Sequence, residues 1–138
     1  MAVRVKIRIK VNEKSKILTV LVNGGAESEE PVIVIKPTDA RDLGLNINDF
    51  ELIEVELASG ITHNLISKRK VTLELLDDEG NVLSFTEAYV AIDEDLTEPL
   101  ITDATIDELG IQVISFKKGL WRHKNDPPEL VRESALRC

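Results

Sequence analysis

The chain has 138 residues, of which 43% are hydrophobic and 30% charged, and this predicts one folded domain large enough to bury a core without metals or disulfides. No apolar run reaches membrane-spanning length, and the single cysteine, Cys138, leaves no internal disulfide, so we expect a cytoplasmic protein with no membrane partner. The formal net charge of −8 disfavours a nucleic-acid partner, because binding a phosphate backbone requires a basic surface.

Apolar and basic residues alternate from Val3 to Val11, and this period of two predicts a strand with one buried face. We interpret the basic face as solvated rather than as a ligand face, with its lysines protecting an edge strand from unwanted pairing. Residues 12–16 are typical of a hairpin turn, and residues 17–22 predict a second strand. Because only Thr19 interrupts its apolar residues, we expect this second strand to lie deeper than the first.

Asn23, Gly24 and Gly25 end that strand, since two consecutive glycines permit backbone angles that β-branched residues cannot adopt. Residues 32–35 predict a short strand. Thr38 is then expected to cap a helix over residues 39–43, which Gly44 stops.

The rest of the chain alternates short strands with turn signals. Turns are expected at residues 59–60, 77–81 and 117–119, and a second short helix, capped by Thr102 or Asp103, should end at Leu109 before Gly110. After Asp126 we expect a polar tail that forms a short helix or stays loose. The strands predicted in this part cover residues 51–58, 61–66, 71–76, 82–86, 88–92, 100–101, 112–115 and 120–123.

Two segments, residues 31–45 and 99–111, repeat one plan. Each has an extended apolar piece, a Thr-Asp-Ala sequence, a short helix and then Leu-Gly followed by an aliphatic residue. Short capped helices often end this way, but the match at both ends favours an approximate internal twofold. Many short strands with two short helices predict an all-β barrel or sandwich.

Three motifs occur in a fixed order: residues 21–26 (Leu-Val-Asn-Gly-Gly-Ala), residues 56–61 (Glu-Leu-Ala-Ser-Gly-Ile) and residues 99–103 (Pro-Leu-Ile-Thr-Asp). In this order the chain resembles the retropepsin-like aspartic proteases, in which a catalytic loop, a β-hairpin flap and a second aliphatic motif follow one another. The resemblance implies a closed barrel over residues 1–123, a polar tail over 124–138 and a homodimer whose cleft joins two such loops. It implies no cofactor and no metal. The binding residues that it implies are Ala26, Glu27, Ser59, Gly60 and His63.

The departures from that family fall on its chemistry. In the family, two aspartates share a proton, so that one activates water while the other donates to the substrate carbonyl. Here Asn23, Gly24 and Gly25 occupy the Asp-Thr-Gly position, and an amide cannot hold or release that proton. Gly24 also replaces a bracing hydroxyl, and Thr102 stands where the second motif has glycine. The chain is similar in this respect to archaeal members with asparagine at the aspartate position, and we expect no catalytic residue.

Three hypotheses remain open: an inactive protease homologue that binds an extended peptide or protein segment, an active peptidase that uses Glu27 or a deamidated Asn23, and a structural or regulatory dimer without a cleft ligand. Asparagine before glycine deamidates readily, although we expect burial in a rigid loop to restrain this conversion. The acidic residues 27–30 are interpreted as an exposed loop, residues 77–81 as a turn rather than a calcium site, and Trp121 as a packing anchor. His63 and His123 lack metal-ligand spacing, and Ser28 and Cys138 have no evident triad partners.

Overall fold

The computed structural model describes the backbone of residues 2–57 and 60–136, and the side chains of the same residues except 55–57 and 60–63. The chain begins with a hairpin of β1 (Arg4–Val11) and β2 (Lys14–Val22). Val11 pairs with Lys14, so only two residues form the turn. The first of them, Asn12, has a φ of 54°. Two-residue hairpins require this left-handed conformation, which asparagine tolerates better than most residues.

Strand β1 has the predicted buried face, but it is not an edge strand. It lies between β2 and β6 (Val71–Leu76), so the prediction of an exposed edge is wrong. The basic face is partly neutralised by acidic neighbours, since Arg4 contacts Glu98 at 2.7 Å and Arg8 contacts Glu74 at 3.0 Å. The alternating basic residues therefore support internal pairing instead of guarding an edge.

Strand β2 does not lie deeper than β1, contrary to the prediction. Ile17 is 52% exposed, whereas Ile7 and Ile9 in β1 are fully buried. Ile17 pairs with Arg8, and directly paired residues of neighbouring strands share a face of the sheet. Its apolar side chain is therefore on the outer face, although the residue types of β2 suggested burial on both faces.

Two short strands form one end of the large sheet. They are β3 (Val32–Ile35) and β8 (Leu100–Ile101), both with the predicted bounds. The sheet order is β3-β8-β2-β1-β6-β7-β5-β4, where β4 is Phe50–Leu57, β5 is Gly60–Ser67 and β7 is Val82–Ile92. Strand β8 is parallel to β2 and antiparallel to β3. Strand β3 also pairs in parallel with β7, so the β3 end of the sheet folds back onto β7. The strands of the two repeated segments thus lie side by side.

A second hairpin, β4 (Phe50–Leu57) with β5 (Gly60–Ser67), lies at the other end of this sheet. It is joined to β7 through two residue pairs of β5, Leu65 with Ile92 and Ile66 with Ala91. Strand β7 is continuous over the region where two strands were predicted, because it pairs with β6 in its first half and with β3 and β5 in its second.

Each repeated segment continues into a short helix. Helix α1 (Pro37–Asp42) starts earlier than predicted, with Lys36 at the N-cap position and no side-chain cap, so the assignment of Thr38 as the cap is wrong. Proline is favoured in the first turn of a helix because its missing N–H has no partner there. Helix α2 (Asp103–Leu109) begins after Thr102 and ends as predicted at Gly110, which has a φ of 74°.

The C-terminal part forms a smaller sheet of β9 (Ile111–Ser115), β10 (Leu120–His123) and β11 (Arg132–Glu133). The expectation that the tail is helical or loose is wrong, because β11 pairs with β10. Beyond β11 the chain returns to β1: the N–H of Arg4 donates to Ser134 Oγ at 2.7 Å, and the N–H of Ala135 donates to the Arg4 carbonyl at 2.8 Å.

The described chain is mostly β-sheet with two short helices, which confirms the predicted all-β class. Its core lies on the inner face of the large sheet and beneath α1 and α2. None of the helices in the described residues is long and apolar enough to span a membrane. The fully buried aliphatic side chains of this core include Val3, Ile7, Ile9, Val20, Ile33, Ile35, Leu73, Leu75, Val90, Ile101 and Leu109.

Candidate functional site

The loop that begins at Asn23 lies beside the start of α2. Strands β2 and β8 run in parallel, with Leu21 opposite Leu100 and Val22 opposite Ile101. The two segments stay paired beyond the ends of these strands, since the N–H of Asn23 donates to the Ile101 carbonyl at 3.3 Å. The first and third sequence motifs therefore meet at the ends of neighbouring strands.

Asn23 forms a turn closed by its own side chain. Its Oδ1 accepts a hydrogen bond from the N–H of Gly25 at 3.1 Å, and its carbonyl accepts one from Ala26 at 3.1 Å. Asparagine favours this arrangement because its short side chain mimics a backbone acceptor. Asn23 is half-buried, but Gly24 and Gly25 are exposed, so the expected burial of the loop is not found at the glycines.

A cluster of hydroxyl groups fixes the far side of this loop to α2. Ser28 Oγ lies 2.7 Å from Thr102 Oγ1, and Thr102 Oγ1 lies 3.1 Å from Thr105 Oγ1. Thr105 also accepts from the N–H of Val32 at 2.8 Å and donates to its carbonyl at 2.9 Å. Because Thr102 and Thr105 are buried, these bonds replace water that their hydroxyl groups have lost.

Asp103 adds a charged contact to the same connection. Its Oδ1 accepts from the N–H of Ser28 at 3.0 Å and from the N–H of Ala104 at 2.7 Å, while its own N–H donates to the Ala26 carbonyl at 2.9 Å. The sequence predicted Thr102 or Asp103 as the cap of α2; Thr102 is at the N-cap position but makes no side-chain cap bond, and the sequence did not indicate this network. The one local signal was the spacing of Thr102 and Thr105, which places two hydroxyl groups one helical turn apart.

A cleft of about 550 Å³ opens between this loop and the β4–β5 hairpin. Three of the predicted site residues, Gly25, Ala26 and Glu27, line it on the loop side. Ser28 and Thr102 line it where the loop meets α2. The remaining walls, which the sequence did not identify, are formed by Val32, Val34, Ile53, Asn64, Ile66 and Ala91.

The predicted residues of the flap are only partly described. Ser59 lies outside the described residues. Gly60 begins β5, and His63 pairs through its backbone with Glu54, but the side chain of His63 lies outside the described part. The assignment of these three residues to a binding site therefore stays a prediction.

Few charged groups line the cleft, and their net charge is negative. Glu27 is exposed and is the one carboxylate among the described residues that line it. Glu30, farther along the loop, contacts Lys70 at 3.0 Å. Glu27 makes no ion pair with a described residue, so its charge remains open to a ligand. The cleft thus combines an apolar wall with hydroxyl and amide groups and a negative rim.

The other candidates take structural positions. Asp77 Oδ1 accepts from the N–H groups of Glu79 and Asn81, so this segment is a turn, as predicted. Trp121 is 4% exposed, and its Nε1 donates to the Glu133 carbonyl at 3.3 Å, which confirms its packing role. Among the residues with described positions, no three His, Cys, Asp or Glu side chains form a group that could hold a metal ion.

His123 was considered in the sequence only as a metal ligand, yet it is 2% exposed. Its Nδ1 accepts a hydrogen bond from the N–H of Asn125 at 3.2 Å. Burial lowers the pKa of His123, and the nearby carboxylate of Asp126 opposes this effect. Asp126 is held by Arg132 through two bonds of 2.8 Å, and this pairing lowers the pKa of Asp126 to about 2.

In comparisons with known proteins, no family model matches the chain, and no curated protein matches it significantly.

Proposed function

We propose that the chain is a retropepsin-like protein without protease activity, which binds an extended peptide or protein segment as a homodimer. The order of its parts supports the resemblance: a glycine-rich loop after β2, the β4–β5 hairpin, then β8 leading into α2. The pairing of β3 with β7 supports a closed barrel, because it joins the end of the large sheet back to its interior. The fold assignment and the function are both parts of this proposal.

The cleft between the loop and the hairpin is the observation that carries the binding function. Its apolar residues, Val34, Ile53 and Ile66 among them, suit an aliphatic or aromatic side chain of a ligand. Asn64 supplies a hydrogen-bonding amide, and Glu27 favours a nearby Lys or Arg. The expected ligand is therefore an extended segment in which an apolar residue has a basic neighbour.

The residues at the loop argue against hydrolysis. Aspartic proteases activate water with two carboxylates that share one proton. Asn23 has an amide that cannot hold or release this proton, and its Oδ1 is already bonded to the N–H of Gly25. Glu27 has no second carboxylate beside it among the described residues that line the cleft. Binding without cleavage is consistent with this set of groups.

Each chain has one Asn23 loop, and the family forms its cleft from two such loops related by a twofold axis. The exposure of Gly24 and Gly25 leaves the tip of the loop open to a second copy. We therefore propose a homodimer in which the two loops face each other. Sedimentation at micromolar concentration should give a dimer, and a monomer alone would contradict this part of the proposal.

A peptide-library screen tests the binding function directly. The wild-type protein should retain peptides with an apolar residue beside Lys or Arg, and Ile53→Glu should abolish this binding by placing a charge on the cleft wall. Leu52→Glu is the matched control, because Leu52 is the neighbouring residue on the opposite face of β4 and is 67% exposed. Equal binding by both variants, or no selected peptides with the wild type, would contradict the proposal.

A further inference from the structure

Two asparagines of this chain form the same turn. Asn23 Oδ1 accepts from the N–H two residues ahead at 3.1 Å, and its carbonyl accepts from the N–H three residues ahead at 3.1 Å. Asn46 makes the corresponding bonds, with Asn48 at 3.0 Å and Asp49 at 2.9 Å. The two Oδ1 atoms therefore accept the same local hydrogen bond, although Asn46 also caps the short 3-10 helix Ile47–Asp49.

The residue that follows differs between the two turns. Gly24 follows Asn23, and a Cβ placed on Gly24 would meet no atom within 4 Å. The N–H of Gly24 donates to no acceptor among the described residues, so its nitrogen is free of a bond that would hold it. Ile47 follows Asn46, and its branched side chain crowds the peptide nitrogen and restricts rotation.

We propose that Asn23 is a site of spontaneous modification through a cyclic imide with Gly24. The backbone nitrogen of Gly24 gives up its proton to solvent and attacks Asn23 Cγ. The Cγ–Nδ2 bond then breaks, and the amide nitrogen leaves as ammonia. Water opens the ring at Cγ to give aspartate, or at the α-carbonyl to give the isomer whose backbone runs through the β-carbon. The overall change consumes one water and releases one ammonia, without an oxidant or reductant.

The turn itself stabilises the first step. Negative charge develops on Oδ1 when Cγ is attacked, and the N–H of Gly25 already points at this atom from 3.1 Å. A donor in place before the reaction stabilises such charge without reorganisation. Any rotation about the Asn23–Gly24 connection that brings the Gly24 nitrogen to Cγ also costs the bond from Ala26 to the Asn23 carbonyl. Asn46 would lose the equivalent bond from Asp49, so this cost does not distinguish the two sites.

The modification would change the charge of the candidate site. The normally linked product has a carboxylate at the position where the resemblance expects aspartate, and the isomer displaces that carboxylate and lengthens the backbone by one atom. Both products add a negative charge beside the cleft that already contains Glu27. This inference depends on neither peptide binding nor dimer formation, because every group involved belongs to one loop of one chain.

The test is time-resolved peptide mapping of the folded protein, kept dilute enough to sediment as a monomer at neutral to mildly alkaline pH. Aspartate and its isomer should accumulate at position 23, with a transient imide that has lost ammonia, while Asn46 remains an amide. Gly24→Ala should suppress both products. Circular dichroism and an unchanged unfolding midpoint would show that each sample stayed folded.

The reciprocal variant is Ile47→Gly, which gives Asn46 the same neighbour as Asn23. Ile47 is 64% exposed, so its removal leaves the core unchanged. Position 46 should then convert at a rate similar to position 23. Intact Asn23 in the folded wild type, under conditions where the urea-unfolded chain converts, would overturn the proposal, and so would equal conversion of Asn23 and Asn46 in the folded wild type.

Discussion

Ser28 Oγ and Thr102 Oγ1 lie 2.7 Å apart, although 74 positions separate the two residues in the chain. This bond joins the loop that starts at Asn23 to the first residue before α2. Compared with the retropepsin-like proteases that the sequence resembles, Gly24 lacks a bracing hydroxyl and Thr102 stands in place of a glycine. The structure has a different brace, in which Ser28 Oγ donates a hydrogen bond to Thr102 Oγ1 within the same chain. The two departures thus occur beside a local connection that holds the loop without Gly24.

Thr102→Val should destabilise the fold, because it removes the buried hydroxyl that bonds Ser28 Oγ and the Val32 carbonyl, while the shape of the side chain is nearly kept. The expected loss in free energy of unfolding is roughly 1–3 kcal/mol. Urea denaturation measures it. The control is Thr72→Val, since Thr72 lies in β6 and its hydroxyl makes no hydrogen bond within the described structure. Equal effects of the two substitutions would show that the hydroxyl network does not stabilise the loop.

Asp126 should make stability depend on acid pH. Its pKa is about 2 in the folded protein, below the ordinary 3.8, because Arg132 binds its carboxylate. As pH falls, the unfolded chain takes up this proton first, so the stabilisation is complete above pH 3.8 and is lost as pH approaches 2. The amount is about 2 kcal/mol. Wild type and Asp126→Asn should differ by this much near neutral pH and converge in acid, whereas a constant difference would contradict the assignment.

His123 should add a second pH dependence at higher pH. Burial lowers its pKa below the ordinary 6.5, so the unfolded chain binds this proton first and stability falls as pH drops through 6.5 toward the folded value. The charged groups near the ring are Asp126, Lys124 and Arg132, and the carboxylate only partly offsets the burial. Protonation would also remove the lone pair on Nδ1 that accepts from Asn125.

Thermal unfolding between pH 5 and 8 of wild type and His123→Phe measures this effect. The variant should be less stable at pH 8 and should have a flatter profile. His63→Gln removes the other histidine and so measures separately what that residue contributes to the slope. A wild-type slope in His123→Phe would assign the dependence to other groups.

Arg132→Ala should loosen the C-terminal strand around the single tryptophan. Arg132 binds Asp126 with two hydrogen bonds and lies 5.7 Å from the centre of the Trp121 ring. Loss of these contacts should reduce the free energy of unfolding by about 2 kcal/mol and shift the tryptophan emission to the red. Arg41→Ala is the control at an exposed position. An unchanged emission spectrum would show that β11 packs independently of this arginine.

Local pattern predicted the elements whose burial follows from their own residues. β3, β6, β8 and β10 have the predicted bounds, and α2 ends where Gly110 adopts its left-handed conformation. The pattern gave wrong predictions where pairing with a distant strand decides which way a side chain faces or how far a strand extends. Ile17 faces outward because it pairs with Arg8, and β7 is continuous because it changes partners from β6 to β3 and β5.

The candidate site was predictable only in part for the same reason. Asn23, Gly25, Ala26 and Glu27 lie within five consecutive positions, so a motif could identify their loop. Ile53, Asn64 and Ile66 reach the cleft through strand pairing far from that loop, and the bond from Ser28 to Thr102 depends on the parallel pairing of β2 and β8. A single sequence contains no local signal for these contacts.

The absence of proteolysis is the central claim, and a cleavage assay on freshly prepared protein tests it most directly. Peptide mapping must first show that position 23 is still asparagine. A peptide library incubated at acidic and neutral pH should remain uncleaved, and Asn23→Asp should restore little or no cleavage, because Gly24 and Thr102 still differ from the family framework. Acid-dependent, pepstatin-sensitive cleavage by protein verified as Asn23 would contradict the account.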